Sequence, residues 1–240
     1  MAKYLIFGAS SGIGSSVCSK LALEGDTLVL VGRSEEKLEA LRSSLAFPEK
    51  HTIISSEAED PSNVPFVFDN ATSDNIKLDG MVYCTGTVDV TPLRGFSVER
   101  AQRLFNVNFF SFAEAVSCYS KNKYSNAGSI VGISAANCHY PQKCMSMYSA
   151  SKGAMEAAVR SMAIELADKN IRINCVIPGA VDTIVFKSLS DQQKDIISGK
   201  QLLGVSAPED IAETIVFLLK NGSRVMTGRS MYVDGGLLGQ

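Results

Sequence analysis

The stretch that decides the fold is Lys3-Tyr-Leu-Ile-Phe7-Gly8-Ala-Ser-Ser-Gly12-Ile-Gly14, near the amino terminus. The residues up to Phe7 form an apolar run of strand length, and apolar side chains then recur with helical period over residues 12–23. Glycines occupy the connection between these two segments. The stretch therefore predicts a β-strand, a glycine-rich turn and an α-helix, in that order.

The rest of the chain continues the same alternation of strands and helices. We predict strands at residues 3–7, 27–31, 51–57, 80–84, 129–133, 171–177 and 231–233, and helices at 12–23, 34–45, 61–75, 97–121, 148–168 and 209–220. This order predicts an α/β fold: a single doubly wound Rossmann-type domain over residues 1–240. Its seven-stranded, mostly parallel sheet would carry helices on both faces and bind ligands at the carboxyl ends of the strands.

Capping signals fix three of the predicted helix starts. Ser34 could cap the second helix, and Ser206-x-x-Glu209 has the form of a capping box. Residues 64–68 could also form a short strand, but Asp60 followed by Pro61 is typical of a helix start. A strand there would also leave only about nine residues before the next one, too few for a parallel crossover. We therefore predict a helix in this segment.

Composition excludes several classes of function. The 240 residues contain 23 basic and 25 acidic side chains, which gives a net charge of −2. The chain therefore lacks the excess of basic residues that is typical of nucleic-acid-binding proteins. Neither a signal-peptide core nor an apolar run of about 18 residues is present, which predicts a cytoplasmic protein with no membrane span. The six cysteines are scattered and only two histidines occur, so we expect no metal site and no disulfide framework.

The glycine-rich turn is a candidate site for a dinucleotide. Between a strand and a helix, small residues let the backbone approach a pyrophosphate, and the N–H groups of the first helical turn face the anion. The alternative is a tight turn with a packing glycine. No Gly-Lys-Ser/Thr follows, which excludes a P-loop. The candidate cofactor-binding residues here are Gly8, Ser10, Ser11, Gly12, Ile13 and Gly14.

The end of the second strand bears on coenzyme choice. An NAD-binding chain usually places an acidic side chain there for the ribose 2′-hydroxyl, but residues 32–34 contain none. Arg33 offers a guanidinium that suits a 2′-phosphate, and Ser34 offers a further donor. We therefore predict NADP(H) rather than NAD(H). The alternative for Arg33 is a solvated side chain before a helix.

Tyr148-x-x-x-Lys152 is a candidate acid/base pair at the opening of a predicted helix. The i, i+4 spacing places both side chains on one face, where an ammonium would lower the pKa of the phenol. Tyr119 and Lys123 have the same spacing, but they lie at a polar helix end and are interpreted as solvated surface. Ser134, which follows the fifth strand, could hydrogen-bond a substrate carbonyl or cap the next segment.

Together these motifs resemble the short-chain dehydrogenase/reductase superfamily, and the size and ending of the chain resemble its 3-oxoacyl-acyl-carrier-protein reductase-like branch. The likeness covers nearly the whole chain. The residues that carry it are Gly8-x-x-x-Gly12-x-Gly14, Asn106-Val-Asn108, Ser134, Tyr148-Ser-Ala-Ser-Lys152, Pro178-Gly179 with Thr183, and Val233-Asp-Gly-Gly236.

The resemblance implies a catalytic set. Tyr148 would protonate a substrate carbonyl oxygen, and Ser134 would steady that oxygen. Lys152 would bind the nicotinamide ribose and lower the tyrosine pKa, while Asn108 would hold a water that relays protons.

The resemblance also implies contacts to the cofactor. Thr183, together with Pro178 and Gly179, would contact the nicotinamide end, and Glu57 stands where the family usually has an adenine-contacting aspartate. Gly86 is the only residue retained from the family's Asn-Asn-Ala-Gly after the fourth strand. Residues 183–203 would form a lid over the substrate. Relatives assemble as tetramers through two long helices, so we expect a homo-oligomer, a tetramer or a dimer.

The function expected from the sequence is NADPH-dependent reduction of a small ketone or 3-oxoacyl thioester by hydride transfer. The alternatives are an NAD(H)-linked secondary-alcohol dehydrogenase and a non-catalytic dinucleotide-binding sensor. The set formed by Asn108, Ser134, Tyr148 and Lys152 argues against the sensor, because a binding module has no use for a tuned phenol.

Overall fold

A parallel β-sheet forms the centre of the molecule in a computed structural model that describes residues 1–239. The predicted domain extends to Gln240, which lies outside the described residues. The strands are β1 (Lys3–Phe7), β2 (Thr27–Gly32), β3 (Thr52–Ser55), β4 (Leu78–Tyr83), β5 (Ser125–Ile133), β6 (Ile171–Pro178) and β7 (Ser230–Val233). Over the described range their order is β3-β2-β1-β4-β5-β6-β7, and every neighbouring pair is parallel. The predicted doubly wound sheet is confirmed.

Helices cover both faces of the sheet. They are α1 (Gly12–Leu23), α2 (Glu35–Ser44), α3 (Val64–Ala71), α4 (Val98–Phe105), α5 (Ser111–Tyr119), α6 (Ser146–Ala167), α7 (Ile184–Lys187), α8 (Asp191–Ser198) and α9 (Pro208–Leu219). One apolar core lies between the sheet and α1, α2 and α9, and the other lies between the sheet and α3, α5 and α6. Within the described part of the chain, no helix combines the length and apolar character that crossing a bilayer requires.

Two predicted helix starts are confirmed. Ser34 caps α2, since its side chain accepts a hydrogen bond from the Lys37 N–H at 3.3 Å. Asp60 caps a 3₁₀ turn that leads into α3, and its carboxylate accepts from the Ser62 N–H at 2.9 Å. Residues 64–71 are therefore helical rather than extended, and their apolar stripe faces the core.

The predicted capping box before α9 is wrong. The cap is Ala207, whose N–H donates to the Asp210 carboxylate at 2.7 Å. Glu209 instead accepts from the Ser16 hydroxyl of α1 at 2.9 Å. The N-cap lies one residue later than predicted because Pro208 occupies the first helical position. This places Asp210 rather than Glu209 within reach of the cap.

The helix predicted over residues 97–121 is interrupted. A π-helical segment, Asn106–Phe110, separates α4 from α5. Its inward side chain, Asn108, is fully buried and forms hydrogen bonds to two other segments of the fold. These tertiary bonds compensate for the irregular turn, and π segments of this kind are frequent at functional sites.

Tyr119 was wrongly interpreted as solvated surface. Its side chain is fully buried, and its hydroxyl donates to the Ala127 carbonyl oxygen at 3.0 Å, with the Leu78 carbonyl oxygen 3.3 Å away. α5 extends to Tyr119 and turns this ring toward the core, whereas Lys123 is exposed and pairs with Asp69. The i, i+4 spacing of Tyr119 and Lys123 therefore does not place the two side chains in the same environment, since one is buried and the other is exposed.

Candidate active site

A cleft of about 620 Å³ opens at the carboxyl edge of the sheet. It lies where the strand order reverses, between β1 and β4, which is the usual ligand site of an open α/β sheet. Its walls come from the segments that follow β1, β2, β3 and β4. Among the predicted cofactor-binding residues, those that line it are Gly8, Ser10, Ser11, Arg33, Ser34, Glu57 and Gly86.

The glycines of the turn are required by contacts inside the protein. Gly8 has a φ of +73°, and a Cβ there would lie 2.8 Å from the Cys84 carbonyl carbon. A Cβ on Gly14 would lie 2.2 Å from the Gly8 oxygen, and one on Gly12 would lie 2.9 Å from Cγ2 of Thr183. The turn therefore packs against the end of β4 and against Thr183, at the start of the predicted lid.

Two predicted members of the turn, Ser11 and Ile13, have different structural roles. The Ser11 side chain caps α1 by accepting from the Gly14 N–H at 3.1 Å, so the N–H groups of the first turn of α1 start at the cleft. Ile13 packs against the apolar core between the sheet and α9, and it is not among the residues that line the cleft.

The wall that follows β2 presents two exposed cations. Arg33 and Lys37 both line the cleft, and within residues 1–239 neither forms an ion pair. Arg100, which also lines the cleft, by contrast pairs with Asp89 at 2.6 Å. Sequence reasoning missed Lys37. Its spacing of i+4 from Arg33, at the start of a helix, is the signal that could have revealed it.

Pro178 and Gly179 form the junction between the sheet and the predicted lid. The Gly179 N–H donates to the carbonyl oxygen of Val233 at 3.2 Å. A Cβ on Gly179 would lie 2.9 Å from the Cα and from the carbonyl oxygen of Asp234, so the close approach of these two backbone segments requires glycine. Gln201 is buried and accepts from the Ala180 N–H, which links the end of the predicted lid to the residues that follow β6.

Asn108 fastens the π segment to two neighbours. Its Oδ1 accepts from the Thr87 N–H at 2.9 Å, and its Nδ2 donates to the Thr87 carbonyl and to Oγ of Ser151, each at 3.0 Å. Both amide hydrogens are therefore used within the protein, and one lone pair of Oδ1 stays free for a water. The segment after β4 and the first turns of α6 are held together through this one side chain.

Lys152 is buried between two strand ends. Its Nζ donates to the carbonyl oxygen of Ile133, at the end of β5, at 2.7 Å. A Cβ on Gly86 would lie 3.1 Å from the same nitrogen, so Lys152 also borders the segment after β4. Burial disfavours the ammonium form and lowers the pKa of Lys152 to about 8.

Tyr148 differs from its sequence expectation. Burial, with a smaller contribution from the Cys138 thiol, raises the pKa of Tyr148 to about 12. The expected lowering by Lys152 is not found, because the ammonium is directed at the Ile133 carbonyl and desolvation dominates at the phenol. Tyr148 therefore carries its proton at neutral pH.

Ser134 faces α6. Its Oγ donates to Oε1 of Glu156 at 2.5 Å and lies 3.3 Å from the Lys152 carbonyl oxygen and 3.8 Å from Sγ of Cys138. It does not cap the following 3₁₀ turn, whose cap position is Ala135. Sequence reasoning missed Glu156. The signal was its place at i+8 from Tyr148 and i+4 from Lys152 on one helix.

The comparisons with known proteins identify the family. Residues 8–238 match the family model described as enoyl-(acyl carrier protein) reductase. A short-chain dehydrogenase/reductase from Brucella melitensis superposes with a TM-score of 0.92 and 25% identity, covering 98% of this chain and 96% of that one. This chain belongs to the short-chain dehydrogenase/reductase superfamily.

Relatives within the superfamily differ in their named activities. A 3-oxoacyl-[acyl-carrier-protein] reductase FabG of Rickettsia bellii is 32% identical, with 98% of this chain and 95% of the relative covered. A glucose 1-dehydrogenase of Gluconobacter oxydans is 31% identical, with 98% and 91% covered. A diacetyl reductase of Staphylococcus epidermidis is 29% identical, with 98% and 97% covered. The chain is thus an NAD(P)-dependent short-chain dehydrogenase/reductase that acts on carbonyl or alcohol groups of small molecules.

Proposed function

We propose that this short-chain dehydrogenase/reductase works as an NADPH-dependent carbonyl reductase, with Tyr148 as the proton donor. What supports the proposal is that Lys152 and Ser134 lie together at the end of β5, with Tyr148 one turn before Lys152 on α6. Lys152 touches both strand ends, and Cys138 contacts Ser134 and influences Tyr148. The grouping adjoins the cleft through Gly86.

The protonation of these groups suits reduction. A bound nicotinamide dinucleotide would supply the hydride for the carbonyl carbon. Tyr148, with its pKa at about 12, holds a proton at neutral pH for the developing oxyanion. Ser134 offers a second polar contact to that oxygen, and Lys152 places a positive charge beside the pair at pH values below about 8.

NADP(H) is the coenzyme that we propose. The cleft fits a dinucleotide, because the amino terminus of α1 opens on it and the turn beside it leaves no room for β-carbons. Arg33 and Lys37 supply two cations without carboxylate partners among the described residues, at the wall that follows β2. A 2′-phosphate would supply the missing anion.

For the substrate we propose a small ketone or a 3-oxoacyl thioester. The Rickettsia bellii relative is named for the second class and the Staphylococcus epidermidis relative for diacetyl, a small diketone. Residues 183–203, which include α7 and α8, would cover it as a lid. The glucose 1-dehydrogenase relative supports a second candidate, oxidation of an alcohol with NAD(H). Initial rates with both coenzymes in both directions separate the two.

We also propose a homo-oligomer, a tetramer or a dimer, formed through the faces of α4 and α6. Large apolar side chains point outward there: Ile164 on α6 is 79% exposed and Val98 on α4 is 64% exposed. Phe110, in the π segment, extends the same kind of surface. Burying these side chains against a second copy of the chain would remove their apolar surface from water.

The Tyr148→Phe variant tests the proposed function. Removing the phenolic proton should lower kcat/KM for carbonyl reduction by about 10²- to 10⁴-fold, the range typical of general acid catalysis, while the Kd for NADPH stays unchanged. Tyr124→Phe is the matched control, because its hydroxyl bonds to Asp69 on the other side of the molecule. Full turnover in Tyr148→Phe would refute the assignment of Tyr148.

A further inference from the structure

A buried carboxylate beside the proposed catalytic serine has no part in the reaction described so far. Glu156 is only 4% exposed and lies one helical turn after Lys152 on α6. Its Oε1 accepts from the Ser134 hydroxyl at 2.5 Å, and its Oε2 lies 2.9 Å from Nε2 of His139. The His139 side chain is 37% exposed, so a hydrogen-bonded chain connects Ser134 to the surface.

The Ser134 hydroxyl has one proton to donate. When that proton points at Glu156, the oxygen presents only lone pairs to a substrate. A ketone oxygen is itself an acceptor, so it gains nothing from Ser134 in this arrangement. Ser134 becomes a donor to the substrate when Glu156 takes up a proton on Oε1 and donates to Oγ of Ser134.

We propose that Glu156 is a positioning residue that sets whether Ser134 donates to, or accepts from, the substrate oxygen. This inference rests on the proposed function. With Glu156 neutral, Ser134 donates and favours a carbonyl; with Glu156 ionised, Ser134 accepts and favours an alcohol hydroxyl. The two states differ by one proton exchanged with solvent, and Nε2 of His139, 2.9 Å from Oε2, is placed to donate to the ionised carboxylate.

Other ionisable groups face Glu156 from each neighbouring element. Lys152 and Arg160 lie one turn away on either side along α6, Cys138 and His139 follow β5, Cys175 lies on β6, and Tyr232 of β7 packs against the His139 ring. Burial raises the pKa of Cys138 to about 11 and raises that of Cys175 further, so both thiols are neutral at neutral pH. The nearby charges on α6 are thus cationic.

The Glu156→Gln variant isolates this role. The His139 N–H holds the amide oxygen and leaves the amide N–H groups facing Ser134, so Ser134 is a donor at every pH. In this variant we expect the fall in kcat/KM for carbonyl reduction that accompanies loss of the Glu156 proton to be absent. At pH values above that fall, kcat/KM of the variant should exceed the wild-type value about tenfold. Glu165→Gln, an exposed change on the same helix, should keep the wild-type profile.

A double-mutant cycle ties the effect to the serine. In a Ser134→Ala background, Glu156→Gln should change neither kcat/KM nor its pH profile, because the group through which it acts is gone. His139→Phe, at a partly exposed site, provides a second route: it removes the donor to Oε2 and should move the limb to higher pH. Thermal unfolding and NADPH titration confirm that each variant is folded.

The outcomes separate the two proposals. If Ser134→Ala keeps full activity, the roles of Ser134 and of Glu156 are rejected, whereas the proposed function fails only if the wild type does not reduce carbonyls with NADPH. If Ser134→Ala loses activity while Glu156→Gln and His139→Phe keep the wild-type pH profile, only the role of Glu156 is rejected. If Glu156→Gln does not fold, the pH profile of His139→Phe is the test: a limb at higher pH supports the role of Glu156, and an unchanged profile rejects it. An effect of Glu156→Gln that persists without Ser134 also rejects the role.

Discussion

Single side chains in the site owe their ionisation to burial more than to neighbouring charges. Burial lowers the pKa of Lys152 to about 8, and the same cause raises the pKa of Tyr148 to about 12. The two groups are therefore both protonated at neutral pH, the state that carbonyl reduction needs. As the pH rises, Lys152 loses its proton before Tyr148 does.

The pH dependence of reduction should show this loss. Because the ammonium form of Lys152 predominates below its pKa, we expect kcat/KM to decline as the pH rises through about 8, while Tyr148 stays protonated. In Lys152→Ala the rate should be lower throughout and this limb should be absent. Initial rates between about pH 6 and pH 10 measure it. A limb that persists in Lys152→Ala would have to belong to another group.

The proposed preference for NADP(H) depends on single residues. Arg33→Ala should weaken NADPH binding by about ten- to hundredfold, the effect of removing one charge-assisted hydrogen bond, and leave NADH binding nearly unchanged. Lys37→Ala should act in the same direction. Fluorescence titration with both coenzymes measures the change, with the exposed Lys123→Ala as control. Equal losses for NADPH and NADH would contradict recognition of a 2′-phosphate.

The sequence indicates these residues unequally. Tyr148, Lys152, Ser134 and Asn108 belong to a pattern with fixed spacing, so they can be proposed without coordinates. Glu156 lies outside that pattern. Its spacing from Lys152 places it on the same helix face, but a charged residue in a helix usually faces water, and only the packing of α6 against Ser134 reveals its burial. The pKa of Tyr148 was equally inaccessible, since it depends on desolvation rather than on spacing.

At the level of elements, periodicity predicts regular structure and misses local irregularity. β1 and α1 begin and end where the sequence places them, and the Ser34 cap of α2 was predicted as well. The π segment was not, because one extra residue in a turn scarcely alters a pattern of i, i+3 and i+4 apolar positions. Hydrogen bonds between Asn108 and two residues distant in sequence, Thr87 and Ser151, stabilise this segment.

Asn108→Ala tests that account of the π segment. The change removes a fully buried amide and leaves Oγ of the buried Ser151 without its donor, so we expect the free energy of unfolding to fall by about 1–3 kcal/mol. Urea denaturation followed by circular dichroism measures it. Asn126→Ala, at an exposed asparagine that pairs with Lys77, should change stability by less than about 0.5 kcal/mol. Similar small losses in both variants would show that Asn108 does not stabilise the segment.

Across the whole molecule, the sheet brings distant segments to one edge. Gly86 meets Lys152, Gly12 meets Thr183, and Gly179 meets Gln201, so the ends of β4, β1 and β6 each contact a different functional element. The parallel arrangement makes this convergence unavoidable, because every strand ends on the same side. Because α6 carries the proposed catalytic residues and also the exposed Ile164, the proposed assembly and the proposed catalysis would share a helix.

Ile164→Asp tests the proposed assembly through α6. A carboxylate at this 79% exposed position would be buried without a partner in the interface, which costs several kcal/mol and should raise the dissociation constant by roughly a hundredfold or more. Sedimentation velocity should then show a smaller species at protein concentrations where the wild type is assembled. Leu23→Asp, 75% exposed at the end of α1, places the same charge away from the helix and should leave the size unchanged. If Ile164→Asp sediments like the wild type, this face of α6 is not the interface, and the exposed side chains of α4 and α6 lose their proposed role.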